Sequence, residues 1–156
     1  MLQASALSFI DADEGQEQMR FDHLGIVVAD IAEGRDILNA MFDIQRWTEV
    51  YEDPGIGVYV QFGIGSDGPC YELIAPFGEG SPISVALKTG KGILNHVAYP
   101  VSDLESSANV LLEAGCLAVS KQQPAVAYDG HLVQFFRSPL KFIVELIEAP
   151  EHQHAF

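Results

Sequence analysis

Cysteine is scarce: Cys70 and Cys116 are the only two in 156 residues. Two are too few for a disulfide framework, so a reducing compartment is the expectation. Basic residues are scarce as well. Eight Lys and Arg stand against 22 Asp and Glu, a net charge of −14, which argues against nucleic acid and anionic membrane surfaces as partners. No apolar run approaches the roughly 18–20 residues that cross a bilayer. The first residues lack the basic start and apolar core of a secretory signal. These absences leave a small-molecule partner, with no nucleic acid and no membrane, and a cytoplasmic location as the expectations.

What the chain has instead is a repeat. Asp22-His23-Leu24-Gly25-Ile26-Val27-Val28-Ala29-Asp30-Ile31 returns as Asn95-His96-Val97-Ala98-Tyr99-Pro100-Val101-Ser102-Asp103-Leu104, 73 positions later. The same offset, without a gap, places Gly57 on Gly130, Val60-Gln61-Phe62 on Val133-Gln134-Phe135, and Glu72-Leu73-Ile74 on Glu145-Leu146-Ile147. A repeat that holds register over a whole module is an architectural signal. Both copies keep a His near the start and a Glu near the end, and packing alone asks for neither.

Local patterns give each copy the same plan. Residues 21–28 alternate and are rich in β-branched side chains, the mark of a strand. Asp30 and Asp103 are placed to cap helices, Asp30 with Glu33 in a capping-box spacing. The first helix would bury Ile31, Ile37, Leu38 and Met41. Strands are expected within 46–51 and over 58–62, 70–75, 117–120, 131–136 and 142–148. Ser81-Pro82 reads as the start of a short linker helix running to about Thr89. The fold class is α+β: two tandem βαβββ modules, at about 21–76 and 93–149 with linker 77–92, whose sheets face each other across a cleft. Acidic residues 1–20 read as a mobile arm. Residues 150–156 read as a frayed tail, His152 and His154 included.

Strand geometry selects faces, because side chains alternate with period two. His23 shares a face with Gly25 and Val27, Glu72 with Cys70 and Ile74, His96 with Ala98, and Glu145 with Ile143 and Ile147. Facing sheets would bring His23, Glu72, His96 and Glu145 into one cavity. Two imidazoles and two carboxylates suit one divalent ion such as Zn, Co, Ni, Mn or Fe, and two carboxylates in an apolar cavity require a cation or a proton. Gln61 and Gln134 are read onto the same cavity face, as substrate contacts or hydrogen-bond partners of the ligands.

With these residues in hand, the chain resembles the vicinal oxygen chelate superfamily, the glyoxalase/bleomycin-resistance/dioxygenase group, over roughly residues 20–149. Its DHLGIVV, SPI and NHVAYPVSDL segments resemble the methylmalonyl-CoA epimerase branch in particular. The resemblance implies a cleft between paired modules and a divalent metal held at positions matching His23, Glu72, His96 and Glu145. It implies a metal-dependent isomerase that removes an α-proton next to a carbonyl of a small acid or thioester, with Glu145 as first candidate base and Glu72 as second. Gln61 lies on the strand where family epimerases can carry another carboxylate, and an amide carries no proton near neutral pH. A glyoxalase I-type lyase and a metal-free small-molecule binding protein are the alternatives, and a homodimer is left open.

Overall fold

The computed structural model describes residues 19–156; the expected N-terminal arm, up to residue 18, lies outside the described residues. The first module runs β1 (His23–Val27), α1 (Ile31–Met41), β2 (Ile44–Trp47), β3 (Tyr51–Asp53), β4 (Val58–Gly65) and β5 (Cys70–Pro76). A short α2 (Ser84–Thr89) links it to the second: β6 (Leu94–Pro100), α3 (Leu104–Glu113), β7 (Leu117–Ala118), β8 (Gln123–Pro124), a 3-10 turn (Val126–Tyr128), β9 (Leu132–Arg137) and β10 (Ile143–Ile147).

The strands form one continuous ten-stranded sheet in the order β2-β4-β5-β1-β6-β10-β9-β7, with β3 added to β4 and β8 to β9. The two expected sheets are therefore halves of one. Within each module the first strand pairs parallel with the last, β1 with β5 and β6 with β10, and the modules join edge to edge through antiparallel β1 and β6. Val58 and Val60 from one half line the same cavity as Phe135 and Ile143 from the other. The sheet is thus curled, with a concave side for chemistry and a convex side for helices.

Strand parity sorts the core accordingly. One buried cluster, including Val27, Val58, Val60, Phe62, Ile74, Val133 and Ile147, fills the concave side. A second, with Leu104, Ala108, Phe136, Val144 and Leu146, lies under α3. Both module helices start as expected: Asp30 accepts a bond from the Glu33 N–H at 2.9 Å and Asp103 one from the Ser106 N–H at 2.8 Å. Helix α1 buries Gly34 and Leu38, while Ile37 and Met41 stay exposed. A Cβ on Gly34 would come within 2.7 Å of Val28 Cγ1, so this helix docks through its thinnest point together with Leu38, and only part of the apolar stripe the sequence offers is buried. Ser81 does not cap α2; the helix begins three residues later, with the Ser84 N–H bonded to the Ser81 carbonyl at 3.1 Å.

Asp53 ties the modules together. One of its oxygens accepts the Ile56 N–H at 3.0 Å and the other accepts the Val126 N–H of the opposite module at 2.9 Å, from a nearly buried side chain. Hydrogen bonds to a charged group contribute about 1.5–3 kcal/mol. Asp53→Ala is expected to lower the unfolding free energy by roughly that amount, read as a shift in the urea midpoint at constant slope. An unchanged midpoint would remove Asp53 from the account of how the modules are joined.

Candidate metal centre

The sheet register builds the site. Two rows of side chains cross the concave face: Phe62, Glu72, Gly25, His96 and Ile143 in one, Phe135, Glu145, Ala98, His23 and Cys70 in the other. Each row is the other carried through the repeat, and each has a small residue between its imidazole and its carboxylate. The small residue gives the imidazole of the neighbouring strand room to lean over it. A Cβ on Gly25 would fall 2.2–2.7 Å from three ring atoms of His96, so only glycine fits there.

The four predicted ligands meet where the rows pass. His23 Nε2 is 3.0 Å from His96 Nε2. Glu72 Oε2 lies 3.3 Å from His23 Nε2 and 3.2 Å from His96 Nε2, and Glu145 Oε2 lies 3.3 and 3.1 Å from the same atoms. All four side chains are buried. The other ring nitrogens are already engaged: His23 Nδ1–H donates to Asp22 Oδ2 at 2.8 Å and His96 Nδ1–H donates to Asn95 Oδ1 at 2.9 Å. With the protons fixed on Nδ1, both Nε2 lone pairs point into the site. With both imidazoles neutral, four acceptors converge without a donor among them, and among the described residues no Lys or Arg lines the adjoining cavity. Donor atoms about 2.0–2.2 Å from one ion stand roughly 3–3.5 Å apart, which is the spacing seen, so the donor set fits a divalent transition-metal or zinc ion.

Without a cation, protons must hold these groups together. Burial depresses the imidazoles, but the neighbouring carboxylates outweigh it. The charge of Glu72 and bonds to Asp22, Glu145 and Glu72 push His23 well above its ordinary value of 6.5. Glu145 and Glu72 raise His96 likewise against its burial. Burial would raise the Glu72 carboxyl, yet the two imidazoles hold it down at about 2.

Gln61 and Gln134 are corrections. Val58 and Val60 line the cavity and Phe62 packs edge-on to His23, so strand parity turns Gln61 away from it. Gln61 Nε2 donates to the Thr48 carbonyl at 2.7 Å, and Gln134 Nε2 donates to the Ser120 carbonyl at 3.2 Å. Thr48 Oγ1 and Ser120 Oγ return the favour by accepting the N–H of Phe62 and Phe135. The repeated Val-Gln-Phe is a strand clamp, not a pair of substrate contacts. Cys70 is buried against the back of the site, its thiol pushed up to about 12 chiefly by burial. The tail is not frayed: His154 Nε2 bonds Asp22 Oδ2 at 2.8 Å, and the Tyr128 hydroxyl donates to the same oxygen at 3.1 Å. Asp22, Tyr128 and His154 escaped sequence reasoning. The signal for Asp22 was present, since both repeats place an acceptor side chain immediately before the histidine.

Beside the four candidate ligands opens a cavity of about 390 Å³, with Glu72, His96 and Glu145 in its lining and mostly apolar walls. Residues 22–135 match the family model described as the glyoxalase/bleomycin resistance protein/dioxygenase superfamily. The chain is 32% identical over 121 residues to an ethylmalonyl-CoA/methylmalonyl-CoA epimerase of Cereibacter sphaeroides, covering 74% of this chain and 86% of that one. Among solved structures, a hypothetical protein from Bacillus halodurans superposes with a TM-score of 0.73 at 23% identity, over 89% of this chain and 100% of that one. A Streptomyces coelicolor methylmalonyl-CoA epimerase variant in complex with 2-nitronate-propionyl-CoA superposes with a TM-score of 0.66 at 19% identity, over 87% and 98%.

Two outcomes follow from this geometry. Gly25→Ala should displace the His96 ring and weaken divalent-ion affinity by at least the 10–100-fold that disturbing a ligand's support typically costs, measured by competition against a chelating dye. In the metal-free protein the raised imidazoles bind more protons folded than unfolded above pH 6.5. Its melting temperature should therefore fall as pH rises from 6.5 through the native imidazole values. Added cation should replace those protons, bind more tightly as pH rises, and remove the decline. A melting temperature that climbs over this range would show that the imidazoles are not the linked groups.

Proposed function

Because the chain belongs to the glyoxalase/bleomycin resistance protein/dioxygenase superfamily, we propose that it is a metal-dependent epimerase-type isomerase. It would remove and return a proton at the carbon next to a carbonyl of a small acid or thioester. One observation carries this reading: two carboxylates, Glu72 and Glu145, sit within 3.3 Å of both imidazole Nε2 atoms beside a largely apolar cavity. His23, Glu72, His96 and Glu145 would hold the ion. A bound divalent cation supplies Lewis acidity toward a carbonyl oxygen and stabilises the charge that develops there when the α-proton leaves.

The chain's own residues supply the proton chemistry. Glu145 is the first candidate for the base and Glu72 the second, both within 3.3 Å of the two imidazole Nε2 atoms. Val58, Val60, Ile74 and Ile83 provide apolar surface for the acyl group and exclude water from it. The cavity face of β4 carries Val58, Val60 and Phe62 and offers no second carboxylate, so proton transfer is expected to favour one face of the substrate.

The relatives' names put acyl-CoA thioesters of the methylmalonyl type first among substrates to assay. No named relative points to a lyase. The metal-free binding alternative is met by metal analysis, since it predicts no divalent ion in the purified protein. Glu145→Gln keeps an oxygen ligand but cannot accept a proton. It should retain ion binding in part and lose about 10²–10⁴-fold in the rate of α-proton exchange with deuterated solvent. Wild-type protein should exchange one enantiomer much faster than the other. Full activity in Glu145→Gln, or equal exchange of both enantiomers, would mean that the proton carriers lie elsewhere.

A further inference from the structure

The repeat gives each ligand histidine an acceptor at the preceding position, but the two acceptors differ. Asn95 is a neutral amide, and its Nδ2 goes on to the Gly92 carbonyl at 3.3 Å. Asp22 is an anion, and its Oδ2 receives three donors: His23 Nδ1 at 2.8 Å, His154 Nε2 at 2.8 Å and the Tyr128 hydroxyl at 3.1 Å. Two of the three come from outside the repeated ligand set, and His154 comes from beyond the second module altogether.

The segment around His154 is seated. Its ring stacks on Phe62 with centroids 4.0 Å apart and planes 27° apart, and Phe62 in turn packs edge-on to His23 at 5.2 Å. His152 packs against Tyr128 at 4.7 Å on one side, and on the other Arg46 lies over the Phe156 ring at 5.4 Å. The Asp22 and His154 side chains are each only 8% exposed.

We infer that His154 is a positioning residue for the metal centre: it closes the back of the site as a C-terminal strap and holds the Asp22 carboxylate on His23. A carboxylate behind a ligand imidazole fixes its orientation and raises its basicity. A carboxylate can do this only while it is kept from swinging toward water, and His154 with Tyr128 keeps it. His23, backed by an anchored anion, is then the stronger and better-oriented nitrogen donor, and His96, backed by an amide, the weaker one. The tail so secures an asymmetry that the repeat already carries in Asp22 and Asn95. This inference rests on the metal reading of the four-residue site.

The experiment uses the full chain with two substitutions that separate donor from ring. His154→Phe keeps the stack on Phe62 and removes the donor. His154→Gln loses the ring and can return an N–H to Asp22. Zinc affinity is measured by chelator competition, the visible spectrum of the cobalt-loaded protein reports ligand geometry, and the urea midpoint reports the fold. Positioning predicts that His154→Phe loses about 10–100-fold in zinc affinity with an altered cobalt spectrum, and that His154→Gln recovers most of both. A packing role predicts the reverse order, with His154→Phe close to wild type. That order, or losses in both variants that merely track the urea midpoint, overturns the inference while leaving the metal reading intact. Wild-type protein that binds neither zinc nor cobalt overturns both.

Discussion

With both imidazoles neutral, four buried acceptor atoms converge with no donor among them, and the rest of the structure is arranged around that fact. His23 Nε2, His96 Nε2, Glu72 Oε2 and Glu145 Oε2 stand 3.0–3.3 Å apart across the pairs measured. Such a cluster is costly without a positive charge at its centre. The metal-free chain can meet that demand only with protons, which is why both imidazoles are held above their ordinary value. The sheet register that crosses the two rows, the bare Cα of Gly25 under the His96 ring, and the engaged Nδ1 atoms all serve to place these four atoms.

Duplication explains the economy of the arrangement. Because β1 and β6 pair antiparallel at the join, one ligand pair per module is enough to surround a point from both sides. The same operation repeats the helix caps at Asp30 and Asp103 and the amide clamps at Gln61 and Gln134. The site itself departs from symmetry too. Gly25 answers to Ala98, Asp22 answers to Asn95, and the C-terminal segment has no counterpart. A site made by duplication begins with equivalent halves, whereas the one-faced proton transfer we propose needs unequal ones.

Much of this was legible in the sequence. The gap-free repeat marks the modules, the alternation within Phe21–Val28 and Cys70–Ala75 marks the cavity faces, and the paired His and Glu mark the four side chains that meet there. What failed did so for physical reasons. Gln61 and Gln134 read onto the cavity face, yet Val58 and Val60 occupy the cavity side of that strand; an apolar cavity wall reverses the usual sense of in and out. Ile37 and Met41 looked like a helix face, but the close approach of Gly34 to Val28 fixes how α1 sits. The division into two sheets was an expectation that one antiparallel pair, β1 with β6, dissolves. His154 was unreadable because its partner Asp22 lies 132 positions away, and a polar terminus carries no pattern that marks it as docked.

In the reading proposed here, two imidazoles and two carboxylates from both halves of the repeat bind one divalent ion. X-ray absorption on protein loaded with one equivalent of zinc reads that coordination shell. The expected shell is nitrogen and oxygen at about 2.0–2.2 Å with the scattering signature of two imidazoles and no sulfur. A shell containing one imidazole, or a sulfur contribution near 2.3 Å, would contradict it.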